Sequence, residues 1–182
     1  MINEIILVQQ LIDKSTREKA FRKLISEYKQ RLYWHIRKIV ISHSDADDVL
    51  QNTFIKIFKN IDKFNQQSKL YSWMYRIATN ESITFINKRA KEKNIDISEY
   101  HKQLVSSLES DIYFSGDEIQ IILQKAIATL PEKQRIVFNM KYFDELKYTE
   151  ISSILETSVG ALKSSYFHAV KKIEKYINTN TN

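Results

Sequence analysis

The side chains with the most chemical potential lie near the C-terminal end of the chain. Tyr148 to Leu155, a break at Glu156-Thr157-Ser158, and Val159 to Ile177 read as a short helix, a turn and a longer helix. Ser158 is placed to cap the longer helix. Helical spacing puts Leu162, Tyr166, Ala169, Val170, Ile173 and Ile177 on one face of it. Gly160, Lys163, Ser164, Phe167, His168 and Lys171 fall on the other. This second set suits a surface that enters a DNA groove. A small residue allows close approach, hydroxyl and amino donors reach bases or phosphates, and an outward aromatic meets a thymine methyl. The alternative is an ordinary amphipathic helix with a solvated polar face, which gives no reason for Phe167.

A second constellation runs from Phe64 to Arg89. Phe64, Tyr71, Trp73, Tyr75 and Phe85 alternate with Lys63, Lys69, Arg76, Lys88 and Arg89. Aromatics stack on unpaired bases and cations follow phosphates, so the mixture fits single-stranded or melted DNA. The competing reading is core packing, and it weighs most at Trp73, which shares a helical face with Ile77, Asn80 and Thr84. A third group, Asp45, Asp47 and Asp48 beside His43, could suggest a metal or acid–base site. Carboxylates in a first helical turn are stabilised by the helix dipole without any ligand, and that is the expectation here. His35 and His43 have no partners at ligand spacing, and His101 falls in a connecting segment. No catalytic triad, phosphate loop, metal site or cofactor site is expected, and the chain reads as non-enzymatic.

The elements that carry these residues are legible in the composition. The chain has 182 residues, of which 43% are hydrophobic, enough for packed cores. It has no Cys, which excludes disulfide frameworks, Cys-based zinc sites, Fe–S clusters and thiol nucleophiles. Two Gly and one Pro argue against turn-rich all-β folds and for helices. No stretch approaches the ~20 apolar residues of a membrane span. Met1 to Ile12 lacks a basic n-region and a cleavage site, so a cytoplasmic protein without direct membrane insertion is expected.

Charge divides the chain. Residues 1–89 carry 16 basic and 9 acidic side chains, residues 90–118 carry 3 and 7, and residues 119–182 carry 9 and 6. The expected architecture is all-α: two small helical domains, 1–92 and 118–182, joined by an acidic linker, 93–117, rather than a loop within one domain. In the first domain Ala20, Phe21, Leu24, Tyr28, Leu32, Ile36 and Ile39 form one apolar stripe. A second helix follows near Ser44, with Val49, Leu50, Thr53, Phe54, Ile57, Phe58 and Ile61 inward and Asp48, Gln51, Asn52, Ile55, Lys56 and Lys59 outward.

Four segments resemble a known family. They are Asp45-Ala46-Asp47-Asp48-Val49-Leu50-Gln51-Asn52-Thr53-Phe54, Trp73-Met74-Tyr75-Arg76-Ile77-Ala78-Thr79-Asn80, Leu130-Pro131-Glu132-Lys133-Gln134-Arg135-Ile136-Val137-Phe138 and Ser158-Val159-Gly160-Ala161-Leu162-Lys163-Ser164. In this order they resemble the motifs of the extracytoplasmic-function (ECF) sigma factors, small two-domain bacterial transcription initiation factors. The resemblance covers roughly residues 18–92 and 118–177. It implies that the first domain is sigma region 2, with Asp48, Gln51, Asn52 and Ile55 docking on core RNA polymerase. It implies that Phe64, Asn65, Lys69, Arg76, Asn80, Lys88 and Arg89 recognise and open the −10 element of promoter DNA. The second domain would be region 4, with Gly160, Lys163, Ser164, Phe167, His168 and Lys171 reading the −35 element. An anti-sigma factor, often membrane-tethered in this family, is a further implied partner. The sequence departs from the family's usual residues at Asn52, Thr79, Thr84, Ser165 and His168, and is less basic where DNA would be read. An autonomous helix-turn-helix regulator is the alternative, but such proteins normally dimerise and no coiled-coil seam is present. A helical interaction module without DNA binding is the third class.

Overall fold

The computed structural model describes residues 4–107 and 118–180. Among these residues the chain is helical throughout: α1 (Glu4–Ile12), α2 (Arg17–Val40), α3 (His43–Asn60), a 3-10 turn (Ile61–Lys63), α4 (Leu70–Glu92), α5 (Ile97–Ser106), α6 (Glu118–Ala128), α7 (Glu132–Tyr142), α8 (Tyr148–Leu155) and α9 (Val159–Asn180). The first helical group is built around α4, which is buried on several faces at once. Polar residues are tolerated inside it because Thr79 and Ser82 donate to the carbonyls of Tyr75 and Ala78, four residues earlier. Helices α2 and α3 pack on α4 through the expected stripes: Ala20, Leu24, Leu32 and Ile36 from α2, and Val49, Leu50, Phe54 and Ile57 from α3, are all buried.

The α2–α3 corner is tight. Ile41 adopts a left-handed backbone with φ 66, a strained state for a β-branched residue, and its N–H donates to the Arg37 carbonyl at 2.8 Å. Ser42 then caps α3, accepting the Asp45 N–H. Helix α1 is tied on by Arg17, whose guanidinium donates to the carbonyls of Leu11 and Ile12 at the end of α1 and pairs with Asp62.

In the second group Pro131, which has no N–H to leave unsatisfied, stands at the N-cap of α7. Helices α8 and α9 form the expected helix-turn-helix, with Glu156 in the left-handed region at φ 52 as the turn. Ala126, Ile127, Leu130 and Phe138 pack against Ala169 and Ile173 of α9. Phe138 stacks on Tyr166 with centroids 5.8 Å apart.

Two features differ from expectation. The first half of the acidic connecting segment is folded: Asp96 accepts the Glu99 N–H at 2.8 Å to start α5. Tyr100, His101 and Val105 are buried, and Val105 clusters with Ile41 and Ala128. Residues 108–117, with the remainder of the expected linker, lie outside the described residues. Second, the two helical groups share a core. Ile136, Val137, Met140, Leu146, Ile151, Ile154 and Leu162 belong to the same buried cluster as α2, α3 and α4. Contacts of α7 with α2 and of α8 with α4 make this junction.

Candidate nucleic-acid interface

Three surfaces carry the residues singled out in the sequence. The first is on α3, where Asp48, Gln51, Asn52 and Ile55 are all exposed. Gln51 and Ile55 edge an apolar groove of about 580 Å³ between α2 and α3, lined also by Phe21, Ile25, Leu50, Phe54 and Phe58, with Lys29 and Lys59 at its rim. Phe58, expected inward, is 36% exposed and lies edge-on to Phe21 at 4.9 Å. The α2 side of this groove was not legible from α3 periodicity. An exposed Ile at 50% and a half-open Phe in one apolar groove suit a protein partner better than water.

The second surface does not come together as one site. Phe64 is buried, its ring 5.3 Å from Trp73, so it fills the core instead of offering a free face to a base. Asn65 is exposed, and its side-chain oxygen accepts the Gln67 N–H at 3.2 Å, shaping the loop before α4. The α4 N-terminus is capped from far away: Leu70 N–H donates to Glu4 Oε1 at 2.7 Å. Helix α1 and this loop enclose a hollow of about 330 Å³ lined by Glu4, Ile5, Val8, Phe64 and residues 66–69. Glu4 had no sequence signal, since the contact spans 66 positions.

Further along, Lys69 pairs with Glu150 at 3.4 Å, and Arg76 pairs with Glu156 and donates to the Ser153 carbonyl. Asn80 is exposed and edges a cleft of about 270 Å³ between α4 and the second helical group. Lys88 and Arg89 lie apart, at the far end of α4. Both pair with Glu92, and Arg89 also reaches Asp45 at 3.7 Å and covers the Phe85 ring. Asp45 therefore serves the α3 start and an ion pair, and no cluster of three metal-ligating side chains occurs among the described residues.

Thr79, at a departure from the family pattern, has a packing role. It is buried, and its hydroxyl donates to the Tyr75 carbonyl and lies 2.8 Å from His35 Nε2. His35 Nδ1 then donates to Asp144 Oδ2, also at 2.8 Å, and Lys38 pairs with the other oxygen. Burial pushes the Asp144 carboxyl up, but the hydrogen bonds and charges of His35 and Lys38 outweigh it and hold the group below its ordinary value. Burial and the nearby Glu150 carboxylate raise the Tyr71 phenol.

The third surface is sorted by exposure along α9, with Tyr166, Val170 and Ile177 of the expected inward face only partly buried. Gly160, Lys163, Ser164, Phe167, His168 and Lys171 are all exposed on α9, while Leu162, Ala169 and Ile173 are buried. Ser158 Oγ accepts the Ala161 N–H at 3.3 Å, fixing the helix start. Phe167 is 54% exposed, with the Lys171 ammonium 4.5 Å from its ring centroid. A Cβ at Gly160 would meet nothing within 4 Å, so packing does not demand glycine there.

Residues 24–92 match the family model for Sigma-70 region 2, and residues 120–173 match that for Sigma-70 region 4. The ECF RNA polymerase sigma factor SigW of Bacillus subtilis is 31% identical, over 88% of this chain and 90% of that one. The chain belongs to the ECF RNA polymerase sigma factors.

The ECF RNA polymerase sigma-E factor of Haemophilus influenzae is 28% identical, covering 94% of this sigma factor and 98% of its own length. The same fold occurs in CnrH, solved in complex with the cytosolic domain of CnrY, at TM-score 0.70 and 19% identity over 97% of this chain and 98% of that one. It also occurs in the sigma factor RpoE solved with the anti-sigma factor NepR from Bartonella quintana, at TM-score 0.66 and 20% identity, covering 89% and 99%. This sigma factor is a transcription initiation factor of a non-enzymatic class. Among its described residues no helix is long and apolar enough to cross a membrane.

Proposed function

We propose that this sigma factor docks on core RNA polymerase through the α2–α3 groove and the flanking Asp48, Gln51, Asn52 and Ile55. It reads the −35 element with the outward face of α9 and the −10 element with α4 and the loop before it. Residues 1–92 act as region 2, 93–117 as the connection and 118–182 as region 4. Lys163 and Lys171 supply phosphate contacts and salt dependence, while Ser164 and His168 face base edges. Asn65, Lys69, Arg76 and Asn80 meet the opened −10 strand, with Lys88 and Arg89 tracking phosphates at the far end of α4. Phe64 acts indirectly, by holding the loop against Trp73. The protein works in the cytoplasm without a cofactor, and an anti-sigma factor is its expected regulator, because the similar sigma factor RpoE forms a complex with the anti-sigma factor NepR.

The observation that carries this reading is the sorting of α9, where every residue of the groove-facing set is exposed and Leu162, Ala169 and Ile173 are buried behind it. The test is run-off transcription on fragmented DNA of the source genome, with core polymerase alone and with this protein added. Defined new start sites on addition are expected. Core binding without any new start sites would contradict the proposal.

A further inference from the structure

We propose that α1 contributes a specificity-determining residue to −10 reading: Glu4 meets an unpaired base in the hollow beside the loop before α4, and selects one with an exocyclic amine on its pairing edge. The inference rests on the reading of that loop as part of the −10 surface, and adds to it the helix that faces the loop.

Helix α1 is strapped across both ends of the loop. Where the loop ends and α4 begins, Leu70 N–H donates to Glu4 Oε1 at 2.7 Å. Where the loop starts, Arg17 holds the Leu11 and Ile12 carbonyls of α1 and pairs with Asp62 in the 3-10 turn. Between these ties Leu7, Val8 and Leu11 are buried. The loop is shaped as well. Gln66 takes a left-handed backbone at φ 57, the Asn65 side chain accepts the Gln67 N–H, and Phe64 is packed on Trp73. Both walls of the hollow are therefore set before a ligand arrives, which lowers the cost of ordering them on binding.

The walls differ in chemistry. At about 330 Å³ the hollow lies at the lower end of the ~300–1,000 Å³ of small-ligand sites, a size for one base and not for a duplex. Ile5, which is 65% exposed, and Val8 give it an apolar side for the flat face of a base. Lys69 also lines it and supplies a cation for the adjoining phosphate. Glu4 supplies the edge contact. One of its oxygens is taken by Leu70 N–H, and among the described residues the carboxylate makes no other hydrogen bond. A carboxylate accepts and cannot donate, so it pairs with the N4 amine of cytosine or the N6 amine of adenine. It repels the O4 of thymine, the O6 of guanine and any phosphate, so a strand enters base first.

The test is selection of −10 elements from a randomised promoter pool by holoenzyme carrying wild type, Glu4→Gln, Glu4→Ala or Asn65→Ala. Gln keeps an oxygen for Leu70 N–H and adds an amide donor, so it preserves the cap while changing what the edge contact accepts. Wild type is expected to enrich cytosine or adenine at one −10 position. Glu4→Gln is expected to lower the ratio of amine-bearing to carbonyl-bearing bases there by about fivefold or more, and Glu4→Ala to relax that position. The −35 sequence should be the same in all. The wild-type preference is also measured without any variant, by deleting the amine from the selected base (2-pyrimidinone for cytosine, purine for adenine). Promoter opening is expected to fall about fivefold or more. Circular dichroism establishes that the variants fold. The same −10 sequence from Glu4→Gln as from wild type, or no loss on deleting the amine, would overturn the proposal. A shift in Glu4→Ala alone would reduce Glu4 to a helix cap and overturn it as well. If Asn65→Ala shifts the −10 sequence while Glu4→Gln does not, the loop reading stands and only the role of Glu4 falls. If neither shifts it, the loop reading falls with it.

Discussion

On α9, neighbouring residues have opposite fates. Leu162 is 1% exposed and joins the shared core, so Leu162→Ala is expected to destabilise the fold by ~2–5 kcal/mol, read as a lower urea midpoint. Ser164→Ala, one turn-face away on the exposed side, should stay within ~0.5 kcal/mol of the wild type. His101 offers a pH signature. Burial, and then the Arg135 charge beside it, push its imidazole down to about 3, so it is neutral in the fold. The unfolded chain binds the extra proton below the ordinary value of 6.5, so this contribution is complete above that pH. It is lost at up to ~1.4 kcal/mol per pH unit as pH falls toward the folded value. Denaturant unfolding at pH 7 and pH 5 should therefore show a larger drop for the wild type than for His101→Leu. Equal drops would show that His101 is not held neutral. Sequence reasoning located the α9 face because helical periodicity alone decides it. It misplaced Phe64, because an aromatic in a basic segment looks the same whether it stacks on a base or on Trp73. Glu4 was out of reach, because a cap supplied from 66 residues away leaves no local pattern.

The helices themselves were mostly legible, and the reasons are local. Pro131, Ser158 and the Ser42–Ser44 interruption mark helix starts, and the α2, α3 and α9 stripes are long enough to fix their faces. Helix α5 was not legible. It is only 10 residues long, too short to be stable alone, and its few apolar positions sit among charges. It forms because Val105 finds Ile41 and Ala128. Limited proteolysis of the free protein is accordingly expected to spare residues 97–106, and early cutting within α5 would show that it is not docked. For α3, Gln51→Ala with Ile55→Lys should weaken core-polymerase binding at least tenfold by titration, because a charge enters an apolar groove. Both side chains are exposed, so thermal stability should change little. Full affinity in the folded double variant would move the docking site elsewhere.

For the whole molecule, charge segregation pointed to two basic helical units, and the two family models match in that order. The shared core between them could not be read, because His35–Asp144 and Arg76–Glu156 join positions 109 and 80 apart with no periodic trace. The central claim, that α9 reads promoter sequence for polymerase, is tested most directly by selecting −35 elements from a randomised promoter pool with holoenzyme. The selection is run with wild type and with Ser164→Ala/His168→Ala. A base-edge contact carries ~1–3 kcal/mol of discrimination, so the double variant is predicted to relax or change the selected −35 sequence and leave the −10 sequence as it was. Recovery of the same −35 sequence by both proteins would contradict the account.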